Sequence, residues 1–179
     1  MRIDDGRPVR VDLGPRPRFI WWGQDVDDET RDAIATQAAL VETFPTEDAA
    51  RRHAEQQSWP SGPPEALSIV DVRGVKDYLD RKVNKLNEAA ALTCINLADD
   101  VRYSLHLPRS RSRAAQAVYD KLVERQFPYL TDDSRSKALN RWSSQELGQL
   151  QKMLSSSLRC LETGLAEPWK AIPYRAPSC

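Results

Sequence analysis

The chain of 179 residues, 40% hydrophobic and 29% charged, has the length and composition of one globular domain or two small lobes sharing a core. No apolar run approaches the roughly 18 residues that a membrane-spanning helix needs, so membrane partners are excluded from the expectation. Basic and acidic residues balance at 26 each, which excludes a global field drawing the protein to a polyanion; nucleic-acid contact would require a local patch.

In chain order, residues 1–18 read as an extended arm broken by Gly6, Pro8, Gly14, Pro15 and Pro17, with no apolar stretch of the secretory kind, so the expected location is cytoplasmic. Phe19 to Trp22 is aromatic and β-branched and is stopped by Gly23, a strand signal. Asp27 or Asp28 could cap a short helix, and "ALVETF" reads as a second strand ended by Pro45. Thr46, with Glu47 and Asp48 behind it, predicts the start of a helix rich in strong helix formers. "SWPSGPPEA" is a loop by its prolines, "LSIVDV" a third strand, and Val75 to Arg81 a short helix.

From Val83 onward the pattern is helical. Val83, Leu86, Ala90, Cys94, Leu97, Val101 and Leu105 recur at steps of three and four, with Asn84, Lys85, Glu88, Asp99 and Arg102 off the stripe. A second helix runs from about Ser112 to Gln126, "TDDSRSKALNR" reads as a loop, and a third helix opens on Ser143 and Glu146 as a capping box before a leucine stripe from Leu147 to Leu165. The proline-broken tail, 168–179, has Trp169 and Tyr174 as anchors. The expected fold is α+β: a small three-stranded sheet with flanking helices over 19–82, then a helical subdomain of about three long helices over 83–167.

Candidate chemistry is sparse. Cys94, Cys160 and Cys179 are widely spaced, with no CxxC pair and two histidines in the chain, so no zinc site, disulfide framework or cofactor is expected. His53 and His106 have no orienting partner nearby in sequence, and the pairs Asp27–Asp28, Asp99–Asp100 and Asp132–Asp133 would diverge by about 100° on a helix, which favours solvated faces. Cys94 lies on the apolar stripe and reads as a small buried hydrophobe. "RSRSR" places Arg109, Arg111 and Arg113 where they could neutralise phosphates, although the arginine-rich, lysine-poor composition weakens that reading. Trp21 and Trp22 point to opposite faces of their strand, so one can enter the core while the other anchors an interface.

Tyr119, Asp120, Lys121 and Leu122, followed by Trp142, Ser143 and Glu146, resemble a group of uncharacterised bacterial proteins whose helical half carries Tyr-Asp-Lys-Leu and Trp-Ser-x-x-Glu motifs. The resemblance covers about residues 83–165. It departs after Leu122, where this chain has "VERQFPYL" in place of aromatic, glycine and asparagine residues. The build is similar to that of immunity proteins, which implies a non-enzymatic module that occludes a bacterial toxin. Candidate contacts for such a protein partner are Trp21, Trp22, Arg109, Arg111, Arg113, Asp120 and Lys121. The alternatives are a nucleic-acid-associated regulator using Arg109 to Arg113, and an enzyme assembled from His53 and the acidic pairs.

Overall fold

A computed structural model describes residues 3–14, 17–62, 68–108, 111–130 and 141–165. Its strands are β1 (Ile3–Val11), β2 (Arg18–Asp25), β3 (Asp32–Ile34), β4 (Thr36–Gln37), β5 (Leu40–Val41) and β6 (Ser68–Val70). Its helices are α1 (Glu47–Gln56), α2 (Val72–Leu79), α3 (Glu88–Ser104), α4 (Arg113–Gln126) and α5 (Ser144–Gly164), with a 3₁₀ turn at Pro128–Leu130. The α+β class is as expected. The main sheet has four strands rather than three, in the order β3-β2-β1-β6, with β1 and β6 parallel and the other pairs antiparallel.

The fourth strand is the predicted arm. Ile3, Val9 and Val11 are buried, and β1 takes a place inside the sheet because these side chains need both neighbours to leave water. Its register shifts between Asp4 and Arg7, where Asp5 adopts a positive φ of 46°. Gly6 follows because a Cβ there would stand 2.1 Å from the Trp21 Nε1. The indole occupies the space a side chain would take.

The helix predicted after Asp27 is instead a hairpin turn. Asp28 Oδ1 accepts from the Thr30 backbone and hydroxyl, Asp25 Oδ1 accepts from the Asp27 N–H, and the Asp25 N–H donates to the Arg31 carbonyl. Short acidic side chains satisfied the turn rather than capping a helix. "ALVETF" contributes two strand residues, in a tight hairpin with β4 whose turn, Ala38 and Ala39, has positive φ at both positions.

Alternate residues of β2 divide the core. Trp21, with Ile3, Ala33 and Ala35, packs on Ala50 and Ala54 of α1; Ile20, with Val9, Val11 and Ile34, belongs to the larger cluster formed with α2, α3, α4 and α5. That larger cluster draws on both the 19–82 and 83–167 segments. Helix α3 is buried on more than one side, with Leu92, Cys94, Ile95, Leu97 and Val101 covered by the sheet and by α5. It starts at Asn87, whose side chain accepts from the Ala90 N–H, and Val83 at the head of the predicted stripe is exposed. The Ser104 hydroxyl accepts from the Ile34 N–H at 2.8 Å, so α3 satisfies an outward backbone donor of the edge strand β3. No described helix is long and apolar enough to cross a membrane. The predicted 131–141 loop, apart from Arg141, and the 168–179 tail lie outside the described residues.

Candidate functional site

Two clefts meet at Asp99. The first, of about 400 Å³, lies between α3, the start of α4 and α5; its charged lining is Arg102, Arg111 and Lys152 against Asp99. The second, of about 390 Å³, lies between the β2–β3 hairpin and α3; Glu29, Asp32, Asp99 and Asp100 line it against Arg31, with Trp22 and Tyr119 as aromatic walls.

The junction between them is built from helix spacing. Asp99 is 5% exposed and accepts from Arg102, three residues later on α3, at 3.1 Å; it also accepts from Arg111 Nη2 across the loop. The Arg111 guanidinium lies 3.8 Å from the centre of the Tyr119 ring, and the Tyr119 hydroxyl donates to Asn96 at 2.8 Å. Thus Arg111 of the cationic cleft stacks on Tyr119 of the acidic one. Arg102 Nη2 also donates to the Ser156 carbonyl and hydroxyl, tying the junction to α5.

Asp100 faces the second cleft. Burial, reinforced by the Asp32 and Asp99 carboxylates, pushes its carboxyl up to about 8, against a smaller opposing effect of Arg31. Burial raises Asp32 as well. At the rim, the Tyr103 hydroxyl donates to the buried Asp25 at 2.7 Å, which pushes the phenol up to about 12, and Arg31 lies over the Tyr103 ring.

A second polar cluster joins α3, α4 and α5. Glu88 takes a two-point contact from Arg125 and a third bond from the Trp142 indole N–H at 2.9 Å. Trp142 therefore serves α3 and α4 rather than stopping at the Ser143 cap. Lys121 donates to the Arg141 carbonyl and to Glu146, whose side chain closes the capping box on the Ser143 N–H.

The candidate contacts fall into three groups. Trp21 is 1% exposed and belongs to the core, while Trp22 is half-buried, packs against the larger cluster and lines the acidic cleft. Both indole N–H groups are buried without a hydrogen-bond partner among the described residues. Arg111 and Lys121 are 13% and 14% exposed and turn inward, to Asp99 and Glu146. Arg113 and Asp120 are exposed, and Arg109 lies outside the described residues, as do Asp132 and Asp133.

His53 pairs with Glu42 at 3.0 Å between the rings of Phe44 and Trp59, an orienting partner that sequence proximity did not offer. His106 follows α3 with a positive φ of 54°. Neither histidine lines either cleft, so His53 is not brought to Asp99 and Asp100 there. Cys94 is buried, and burial pushes its thiol up to about 12, away from thiolate chemistry. Among the described residues no group of three or more His, Cys, Asp or Glu is arranged to hold a metal ion.

Asp99 and Arg102, expected off the buried stripe, form the junction, and Asp100, expected on a solvated face, lines the acidic cleft. The signal was present as two adjacent acids inside "INLADDVRYSL", flanked by Leu97, Ala98 and Val101. The chain matches no protein-family model, no curated protein and no solved structure.

Proposed function

We propose that the chain is a protein-binding module of the immunity type, which neutralises a bacterial toxin by occluding it. The observation that carries this reading is the pair of oppositely lined clefts meeting at Asp99. Adjacent cationic and acidic recesses complement a protein surface of alternating charge, and such complementarity steers encounter and suppresses wrong partners. A phosphodiester backbone is uniformly anionic and would be repelled by the acidic half.

Co-expression with the protein encoded by the adjoining gene tests the proposal. The expected result is a stable complex and relief of that protein's toxicity, both weakened by Glu29→Lys at the exposed edge of the acidic cleft. Neither complex nor relief, together with duplex-DNA binding that falls steeply with salt, would count for the nucleic-acid alternative.

A further inference from the structure

We propose that the cleft between α3, the start of α4 and α5 is a carboxylate-binding subsite that receives an acidic side chain of the partner protein. The proposal rests on the protein-binding reading and names what this half of the face would hold.

Three cations line the cleft and one carboxylate answers them. Arg102 and Arg111 share Asp99, while Lys152 is exposed and has no ion-pair partner among the described residues. The remaining lining residues are uncharged, so the cleft carries an excess of positive charge with no second anion of its own among the described residues. Ser112 and Ala115 place the first turn of α4 at the same cleft, and that turn contains no acidic residue. Its exposed peptide dipoles add to the positive potential.

The geometry favours a point anion over an extended one. Arg102 is oriented by Asp99 and by the Ser156 carbonyl and hydroxyl, and Arg111 by its stack on Tyr119, so their forks are held before a ligand arrives. Asp99 and the acidic cleft bound the positive region on one side, so an incoming anion meets repulsion there. A continuous row of phosphates would extend into that repulsion.

NMR titration of the full chain distinguishes the possible ligands. The probes are a blocked tetrapeptide with an Asp-Glu centre, its Asn-Gln counterpart, inorganic phosphate and a short DNA duplex. The acidic peptide is expected to shift the amides of Ser112, Ala115, Ser156 and Ser157 while the Asn-Gln peptide leaves them in place. Lys152→Glu should weaken the peptide about tenfold at unchanged thermal midpoint, because a like charge replaces an attractive one, and Lys152→Arg should retain it. The proposal is overturned if the acidic peptide shifts none of these amides, if Lys152→Glu responds as the parent does, or if phosphate or the duplex shifts them and the peptide does not. A toxin complex that forms undiminished with Lys152→Glu overturns this subsite alone. Failure to form any complex, with the peptide response intact, overturns the immunity reading alone.

Discussion

Asp99 and Asp100 are neighbours on α3 and meet opposite environments. Asp99 is held between two guanidinium groups, whereas Asp100 shares its cleft with Asp32 and the edge of Asp99, with Arg31 as the opposing charge. The folded carboxyl titrates at about 8 and the unfolded one near 3.8, so between these values the folded state binds the extra proton. Stability contributed by this site is therefore present below pH 4 and lost as pH rises toward 8. Asp100→Asn should raise stability at pH 8 by on the order of 2 kcal/mol and leave it nearly unchanged at pH 4, as read by urea denaturation at the two values. A gain of the same size at both would sink the assignment. The expectation from sequence was that the two acids diverge onto solvated faces; instead both line the acidic cleft, and Asp99 is buried. Asp99 is covered and Asp100 half-buried because α3 has neighbours on more than one side, and a single apolar stripe does not reveal a second covering layer.

At the level of elements, the legible features are those closed within three or four residues. Thr46, Ser112 and Ser143 each cap the helix expected of them, and Ser143 and Glu146 form the reciprocal box. Beyond that box, Glu146 also accepts from Lys121 of α4 at 2.9 Å, so one carboxylate fixes both the start of α5 and its docking. The Ser143 N–H, with the Lys121 ammonium, lowers the Glu146 carboxyl to about 2 from 4.5. Its contribution is present above pH 4.5 and is lost as pH falls toward 2. Glu146→Gln should cost about 1 kcal/mol at neutral pH and flatten the acid limb of the stability profile, measured by thermal melts across that range. An unchanged acid limb would show that the carboxylate contributes through neither contact. The β2–β3 hairpin was not legible, because Asp28 is as good a helix cap as a turn residue. The choice is made by Asp25 and Arg31 pairing across the turn.

For the whole molecule, the largest difference from expectation is the position of β1. Proline and glycine made residues 1–18 look like an arm, but Pro8 stands in a strand whose partners, β2 and β6, lie on either side. Long-range pairing with residues 68–70 has no local signature, which is why the α+β class was readable and the strand count was not. Removing residues 1–11 should abolish the cooperative thermal transition, since it takes Ile3, Val9 and Val11 from both clusters and separates β2 from β6. Circular dichroism would check this; a truncated chain melting like the parent would restore the arm. The placement of β1 also orders events during translation. During synthesis β1 must wait for residue 70 before its second edge is paired, and Ile34 must wait for Ser104. The nascent chain thus carries an unfinished sheet until residue 70 has emerged and an unanswered edge until residue 104, and its dependence on chaperones should be concentrated in that interval.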